Sequence, residues 1–194
     1  MENKSLKQII ANRLEKLDKI RQLGVNPYPY EFNITHSTSE ITKDNIDQNV
    51  SVAGRVMSLR KMGKAAFANI QDEKGRVQLY IARDDVGDDN YNLFKLVDIG
   101  DFIRINGAVF ITKTDAITVK AESVTILSKN LRPIPDVKEK DGEKYNSVSD
   151  KELRYRKRYL DMIINPETKN NYITRFKMIN SIREFLNKSG YIEV

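Results

Sequence analysis

Apolar residues recur at three- and four-residue intervals over residues 4–23, the spacing that places them along one side of an α-helix. Ser5 is suited to cap the start of this helix, and Gly24 is suited to end it. Basic residues, among them Lys7 and Arg13, fall on the other side. That side is either an ordinary solvated face or an extension of a track for a polyanion. The pattern therefore predicts an N-terminal amphipathic helix.

Residues 65–81 form two runs in which apolar and polar residues alternate, as they do in half-buried β-strands. A four-residue loop at 72–75 makes these runs a hairpin in which Gln71 pairs with Arg76 and Phe67 with Tyr80. One face of the hairpin is then small and apolar, as a core requires. Its members are Ala66, Ala68, Ile70, Val77, Leu79 and Ile81.

The opposite face of this hairpin combines aromatic rings, amides and a guanidinium. Its members are Phe67, Asn69, Gln71, Arg76, Gln78 and Tyr80. An unpaired nucleobase is bound by a π surface for stacking together with donors and acceptors for its edge. The face is thus a candidate site for single-stranded nucleic acid. The alternative is a solvated face of an ordinary antiparallel sheet, since half-exposed aromatic residues are common in strands.

Three further strands are predicted at residues 50–61, 102–112 and 117–127, and Gly54 in the first indicates a bend or bulge. Apolar residues crowded at 93–99 indicate a short helix that Gly100 closes. The order is three strands, a helix and two strands, which is the order of the OB-fold, a five-stranded barrel whose second and third strands bind oligonucleotides. The predicted fold class is mainly β with flanking helices.

A proline-stiffened linker at 131–136, LRPIPD, separates the predicted strands from a C-terminal part with a different pattern. Residues 137–146 are charged and are predicted to form a loop. The sequence SDKE at 149–152 is a capping box that opens a helix to about residue 164, and Asn165 with Pro166 begins a second helix that Gly190 ends.

These boundaries divide the chain into four parts. We expect an N-terminal helix and connector at 1–30, the OB-fold domain at 31–130, a linker at 131–148 and an incomplete domain at 149–194. Two helices and a strand stub do not complete a domain. The chain is therefore expected to be a piece of a longer protein.

Charge favours a polyanionic partner: the formal net charge is +6 and the pI is about 9.3. The segment 50–83, which contains the hairpin, holds seven basic and two acidic residues, a net charge of +5. The sequence has no run of about 18 apolar residues, which excludes a membrane span by this criterion. The N-terminus lacks the features of a secretory signal, so we expect a cytoplasmic protein.

The sequence lacks the residues that several kinds of catalytic and metal site require. There is no cysteine, and His36 is the single histidine, so neither a thiolate zinc site nor a histidine-based triad can be assembled. A glycine-rich loop with a lysine and an acidic metal cluster are also missing from the sequence. We therefore predict no catalytic residue, no metal site and no bound cofactor in this chain.

Four segments carry a resemblance to a known family: GVNPYPYEF at 24–32, VAGRVMSLRKMGKAAFANIQDEKGRVQLYI at 52–81, LRPIPD at 131–136 and RYRKRYLDMI at 154–163. The chain resembles the N-terminal anticodon-binding region and the start of the catalytic domain of class II lysyl-tRNA synthetases. The resemblance covers nearly all of its residues. It implies a parent enzyme that uses ATP and Mg²⁺ to activate lysine, transfers it to tRNA(Lys) and works as a homodimer.

The resemblance also implies roles for individual residues. It implies that the barrel recognises the tRNA(Lys) anticodon loop, with Phe67 stacked on the central uridine and with Gln78 and Arg60 as edge or backbone contacts. Glu122 matches a further position that recognises the anticodon. Asn69 joins these four as a candidate because it shares the outer face of the hairpin.

Two departures from the family pattern stand out. TKTDAITV at 112–119 replaces a Gly-Glu turn, and residues 137–146 replace a short segment with a His-Gly pair. The final segment, SIREFLNKSGYIEV, resembles the start of the class II dimer motif, and the later motifs that hold ATP and the adenylate lie outside this sequence. We therefore expect no lysine activation by this chain alone.

Two other functions remain open at this stage. The chain is alternatively a free-standing OB-fold protein that binds single strands without sequence preference, or a folding or dimerisation scaffold with solvated basic faces. Arg154, Arg156, Lys157 and Arg158 are suited either to touch tRNA or to form a subunit or domain contact.

Overall fold

The computed structural model describes residues 5–135, 137–140, 143–146 and 151–194. It divides into two compact units, Met1–Pro133 and Ile134–Val194. Each unit is described by itself.

The first unit begins with helix α1, Leu6–Gln22, whose N-cap is Ser5, as predicted. The Ser5 hydroxyl accepts a hydrogen bond from the backbone N–H of Gln8 at 3.3 Å. Leu17 and Ile20 are buried, whereas Leu6 is exposed, so the apolar stripe is covered over only part of its length.

The prediction that Arg13 lies on the polar side of α1 is wrong. Arg13 is buried and donates to the carbonyl oxygens of Asn130 at 2.8 Å and Ile99 at 3.0 Å. A guanidinium has five donors in a planar fork and satisfies two carbonyl groups at once, which makes its burial tolerable. Arg13 therefore fastens α1 to the barrel and does not extend a track for a polyanion.

Five strands follow α1, with a helix between the third and the fourth, which is the predicted order. The strands are β1 (Asn49–Met62), β2 (Ala65–Gln71), β3 (Arg76–Ala82), β4 (Phe102–Ile111) and β5 (Ile117–Ser128), and the helix is α2 (Arg83–Lys95). They pair in the order β1-β2-β3-β5-β4, and β4 pairs again with β1, so that the sheet closes on itself. The predicted five-stranded OB-fold is confirmed.

The hairpin of β2 and β3 has the predicted register. Gln71 is opposite Arg76, Asn69 is opposite Gln78, and Phe67 is opposite Tyr80. The apolar face predicted for this hairpin lies in the core, where every member is at most 6% exposed. The period of two therefore leaves the polar and aromatic face on the outside of the barrel.

Gly54 and the bulge in β1 are separate features. The register shift between β1 and β2 falls between Val56 and Ser58, not at Gly54. At Gly54 a Cβ atom would lie 2.8 Å from the carbonyl oxygen of Gln71. The glycine therefore permits a close approach of two strands, which is the other role expected of glycine inside a strand.

Helix α2 lies earlier in the chain than predicted. It covers Arg83–Lys95, and Leu96 is its C-cap, so the apolar residues at 96–99 follow the helix and do not belong to it. Gly87, at φ 79° and ψ 165°, interrupts the helical backbone. A glycine adopts a positive φ without steric cost, and this kink masks the helical period in the sequence before residue 93.

A buried ionic cluster holds the ends of the barrel strands. The Lys129 ammonium, whose side chain is fully buried, donates to Asp101 at 2.7 Å, Asp98 at 2.6 Å and the Leu96 carbonyl oxygen at 2.8 Å. Burial alone would raise the pKa of Asp98, but hydrogen bonds from Lys129 and Lys16 outweigh it and lower that pKa. The cluster is satisfied because each buried charge has an opposite charge and hydrogen bonds.

The second unit begins with two strands where a charged loop was predicted. Strands β6 (Val137–Lys140) and β7 (Glu143–Asn146) pair antiparallel. The loop prediction was wrong because it relied on the missing apolar pattern, and backbone pairing does not require one.

Three helices follow in the described part of the second unit: α3 (Lys151–Arg156), α4 (Arg158–Ile164) and α5 (Pro166–Lys188). One continuous helix to residue 164 was predicted, but Lys157 has φ −118° and ψ 53°, outside the helical region, and separates α3 from α4. Ser149 of the predicted capping box lies outside the described residues. Pro166 at the start of α5, with Asn165 as its N-cap, matches the prediction.

Asp72 generates a prediction about stability. Its carboxylate accepts hydrogen bonds from the Thr38 hydroxyl at 2.6 Å and backbone N–H at 2.7 Å, and from the N–H groups of Lys74 and Gly75. Burial would raise the pKa of Asp72, but these hydrogen bonds outweigh it and lower the pKa. We expect Asp72→Asn to reduce the free energy of unfolding by about 1–3 kcal/mol at pH 7 in urea titrations followed by circular dichroism.

The pH dependence of this effect has a definite sign. A lowered pKa in the folded state stabilises the protein above the unfolded pKa of about 3.9, and the stabilisation is lost as the pH falls through the folded value. The difference between the protein and the Asp72→Asn variant should be constant from about pH 5 to 8 and shrink in more acidic buffer. Asp89→Asn, at an exposed acid of α2, is the control. A difference independent of pH down to the acid transition would contradict the assignment.

Candidate nucleic-acid interface

The strand register aligns outward-facing residues of different strands in two neighbouring rows. The aromatic row consists of Arg60, Phe67, Tyr80 and Lys120, on β1, β2, β3 and β5. The amide row consists of Ser58, Asn69, Gln78 and Thr118 on the same strands, and Phe110 of β4 pairs with Thr118 at its end. Each row brings together residues that are up to 60 positions apart in sequence (Arg60 and Lys120).

A groove of about 1030 Å³ follows these two rows across the barrel. The loop between β4 and β5 contributes to its lining. The lining residues are Ser58, Leu59, Arg60, Phe67, Asn69, Gln78, Tyr80, Phe110, Thr112, Lys113, Thr114 and Lys120. The groove is an open cleft of polar, aromatic and basic side chains on the outside of a small barrel.

Three aromatic rings contact one another along the groove. The ring centroids of Phe67 and Tyr80 are 5.1 Å apart with planes at 51°, and those of Tyr80 and Phe110 are 6.1 Å apart with planes at 72°. All three residues are only partly exposed, so their edges support one another. Such contacts hold the rings in place and limit the rotamer entropy lost when a planar ligand stacks on them.

The two amides of the site are each engaged by a neighbouring hydroxyl. Asn69 Nδ2 donates to Ser58 Oγ at 2.8 Å, and Thr118 Oγ1 donates to Gln78 Oε1 at 2.8 Å. One polar atom of each amide is thereby used within the protein. The other atom, Asn69 Oδ1 or Gln78 Nε2, is left to bind a ligand edge.

Positive charge lies at both ends of the aromatic row and on the adjoining loop, at Arg60, Lys120 and Lys113. The Lys120 ammonium forms an ion pair with Asp85 of α2 at 2.6 Å, and the hydrogen bond and charge of that carboxylate raise the pKa of Lys120. Lys120 therefore stays protonated at neutral pH. Cations that flank a stacking surface are suited to the phosphates of a single strand.

Four of the five candidates from the sequence line this one groove: Arg60, Phe67, Asn69 and Gln78. Glu122 does not line it. Glu122 is exposed on β5 two residues beyond Lys120, where the register between β4 and β5 shifts. The shift leaves Glu122 without a partner in the ladder, since Gly107 is opposite Ala121 and Asn106 is opposite Ser123.

Sequence reasoning missed the part of the groove contributed by β4, β5 and their loop. Phe110, Lys113, Thr118 and Lys120 were not among the candidates. The alternation of β5 would have grouped Thr118, Lys120 and Glu122 by the period of two, but only the parallel pairing of β3 with β5 places that group beside Gln78 and Tyr80. That pairing is a tertiary feature without a local signal.

Six of the seven basic residues of the segment 50–83 are not in the groove lining. Arg55 lies over the Phe102 ring at 4.2 Å, Lys61 donates to the Lys95 carbonyl oxygen at 2.9 Å, and Arg83 pairs with Asp88. The segment 50–83 therefore contributes a single cation to the groove lining, Arg60. The other two cations of the lining are Lys113, in the loop between β4 and β5, and Lys120 on β5.

Two arginines of α3 and α4 are engaged within the second unit. Arg154 Nε donates to Asp161 at 3.1 Å and Arg154 donates to the Thr168 hydroxyl at 3.2 Å, while the Arg158 guanidinium lies 5.2 Å from the centre of the Tyr172 ring. These contacts join the three helices of the unit.

The described residues contain neither a group of metal ligands nor a membrane-spanning helix. In residues 5–135, 137–140, 143–146 and 151–194, no three histidine, cysteine or acidic side chains are grouped so that they could hold a metal ion. Over the same part of the chain, none of the helices has the length and apolar character needed to cross a membrane.

Two family models match separate parts of the chain. Residues 50–127 match the OB-fold nucleic acid binding domain, and residues 150–194 match the class II tRNA synthetases of the D, K and N type. The first match covers all five strands of the barrel apart from their outermost residues. The groove therefore lies on a known type of nucleic-acid-binding domain.

Curated relatives match the chain over nearly its whole length, and three of them serve as examples. A lysine–tRNA ligase of Carboxydothermus hydrogenoformans is 44% identical over 100% of this chain and 39% of that protein. One of Azobacteroides pseudotrichonymphae is 47% identical over 94% and 39%, and one of Staphylococcus epidermidis is 43% identical over 94% and 38%. The chain thus spans about two-fifths of the length of the relatives it matches.

The flanking cations lead to a prediction about salt. Binding of a 12-nucleotide oligouridine, measured by fluorescence anisotropy, should weaken as salt rises, and Arg60→Gln or Lys120→Gln should each reduce the slope of log K against log salt by about 0.7. The reason is that each lost phosphate contact releases about 0.7 fewer counterions from a single strand.

Lys7→Gln is the matched control, because Lys7 is an exposed lysine on α1 that does not line the groove. It should leave the slope unchanged. Equal slope changes in all three variants would show that net charge alone, and not the groove, determines binding.

Proposed function

The chain is related along its whole length to lysine–tRNA ligases, and from this we propose that it recognises the anticodon loop of tRNA(Lys) as part of such an enzyme. The observation that carries the proposal is the groove, which combines aromatic rings, two oriented amides and flanking cations on the β2–β3 face of an OB-fold, the face through which this fold binds oligonucleotides. Each of these three components has a counterpart in an unpaired nucleotide: a planar base, a hydrogen-bonding edge and a phosphate.

The proposal assigns a role to each candidate residue. Phe67 stacks on the central base of the loop, supported from the side by Tyr80. Gln78 and Asn69 contact the edge of that base, and Arg60 contacts a phosphate or the edge from the end of the aromatic row. Glu122 contacts a neighbouring nucleotide that extends past Lys120, which is consistent with its exposed position beyond the groove lining.

The catalytic part of the proposed reaction belongs to the longer parent protein. We propose that the parent activates lysine with ATP and Mg²⁺, transfers it to tRNA(Lys) in the cytoplasm and is a homodimer. In the part of the chain that the structure describes, no three histidine, cysteine or acidic side chains are grouped to hold a metal ion, so we assign the magnesium-binding residues to the remainder of the parent. We expect no lysine-dependent exchange of pyrophosphate into ATP by this chain alone.

A non-specific single-strand binder is the second candidate function, because the aromatic row would stack any base. The two candidates differ in what they require of the base edge. Stacking is tolerant of sequence, whereas hydrogen bonds to an edge discriminate between bases.

Anticodon stem-loops separate these two functions. We expect a stem-loop with a central uridine to bind at least about fivefold more tightly than one with a central cytidine at the same salt concentration, since a matched edge is worth about 1–3 kcal/mol. Isothermal titration calorimetry with the 194-residue chain measures the affinity for each stem-loop. Equal affinities would reject anticodon recognition and favour the non-specific binder.

Phe67 generates a second prediction. Phe67→Ala should weaken binding of the uridine stem-loop by about 1–3 kcal/mol, the contribution of stacking one base. Phe102→Ala is the matched control, because Phe102 is a partly exposed β4 residue that contacts Arg55 and does not line the groove. Thermal unfolding would establish that both variants fold. A loss of affinity no larger for Phe67→Ala than for Phe102→Ala would remove Phe67 from the site.

A further inference from the structure

Thr118 is a fully buried polar residue directly beneath the groove. It is 0% exposed, although it belongs to the outward-facing amide row, because Gln78 on β3 and Phe110 on β4 flank it as its ladder partners. A threonine with no route to solvent must satisfy its hydroxyl within the protein. The hydrogen-bond partner of the Thr118 hydroxyl is therefore one of the protein atoms around it.

Two acceptors lie within reach of the Thr118 hydroxyl. Gln78 Oε1 is 2.8 Å away, and the carbonyl oxygen of Ala116 is 3.2 Å away. The Ala116 oxygen already accepts from the backbone N–H of Thr112 at 3.0 Å in the turn between β4 and β5. A hydroxyl also accepts, so a reversed Gln78 amide could donate to Thr118 Oγ1, but only if the hydroxyl proton went to the Ala116 oxygen instead. Thr112 already engages both lone pairs of that oxygen, through its backbone N–H and its Oγ1 at 3.3 Å, so the proton goes to Gln78 Oε1 at the shorter distance.

This hydrogen bond fixes the orientation of the Gln78 amide. With Oε1 held by Thr118, the Nε2 group faces the groove as a donor. On the opposite residue of β2, Asn69 uses its Nδ2 group on Ser58 and leaves Oδ1 as an acceptor. In the structure the groove therefore presents a donor, Gln78 Nε2, beside an acceptor, Asn69 Oδ1.

That order complements the edge of uracil. Uracil offers its N3–H as a donor to Asn69 Oδ1 and an adjacent carbonyl oxygen as an acceptor for Gln78 Nε2. Cytosine in the same stacked position places the lone pair of N3 against Asn69 Oδ1, which is repulsive. If the Gln78 amide were free to rotate by 180°, it would present Oε1 instead, and the discrimination would weaken.

We propose that Thr118 is a specificity-determining positioning residue, which orients the Gln78 amide so that the groove prefers uracil to cytosine. The proposal rests on the proposed function, because it concerns the same base-binding groove. Thr118 itself does not touch the base. It acts by removing one of the two orientations of the amide that does.

The test compares three variants with the two stem-loops. Thr118→Val replaces the hydroxyl by a methyl group of similar volume, Thr118→Ser keeps the hydroxyl, and Thr125→Val makes the same change on β5 outside the groove lining. We expect Thr118→Val to lower the ratio of uridine to cytidine affinity by about two- to tenfold, the range for one net hydrogen bond. Thr118→Ser and Thr125→Val should keep the ratio within twofold.

A measurement without RNA tests the positioning step separately. In ¹⁵N relaxation of the side-chain amides, Gln78 should be as ordered as the backbone, and it should become as mobile as an exposed glutamine in Thr118→Val but not in Thr118→Ser. An unchanged Gln78 amide in Thr118→Val overturns the inference even if the chain discriminates uridine from cytidine. An ordered amide in a protein that does not discriminate rejects the proposed function and, with it, the role of Thr118 in specificity. Equal loss of the ratio in Thr118→Val and Thr118→Ser would mean that Thr118 is merely structural.

Discussion

The closure of the five-stranded sheet is the constraint on which the rest of the first unit depends. Each strand pairs with two others, and β1 pairs with both β2 and β4, so a slip of register in one pair would have to be matched around the whole barrel. A slip of one residue would also turn the apolar face outwards. The burial of Ile70, Leu79 and Ile105 and the outward orientation of the two rows are therefore consequences of one register.

The same closure explains why the site is preorganised. Phe67, Tyr80 and Phe110 come from three strands, and the Tyr80 ring contacts both of the others. The amides of Asn69 and Gln78 are each hydrogen-bonded to a hydroxyl of a neighbouring strand. Groups held in one geometry lose little entropy when a ligand binds. The barrel thus positions the rings and amides, and these side chains provide the groups that can contact a ligand.

Charge has two different tasks in this unit. Lys129 and Arg13 are buried and satisfied by carboxylates or carbonyl oxygens, and they fasten the strand ends and α1 to one another. Arg60 and Lys120 are exposed at the two ends of the aromatic row, and Lys120 is paired there with Asp85 at the surface. Net charge alone does not distinguish these tasks, because a buried lysine and an exposed one count equally in it.

The sequence by itself determined the helix α1, the five strands, the register of the β2–β3 hairpin and the shared outer face of Phe67, Asn69 and Gln78. These features follow from local periods of two and of 3.6 residues and from turn residues, which the chain carries within a few positions. The local pattern predicted that Arg13 lies on the solvated side of α1, that α2 lies further along the chain than it does, and that residues 137–146 form a loop. In each case a buried partner, a glycine kink or backbone pairing outweighed the local pattern.

Only the tertiary structure decided which residues complete the groove. Thr118 and Lys120 reach Gln78 and Tyr80 through the parallel pairing of β3 with β5, and Lys113 enters from a loop that follows β4. Such contacts join positions about 40 residues apart, Gln78 and Thr118 for example, and their energy depends on barrel closure and not on either segment alone. For that reason the sequence identified the candidate base-binding face, and the folded barrel determined the orientation in which its amides are presented.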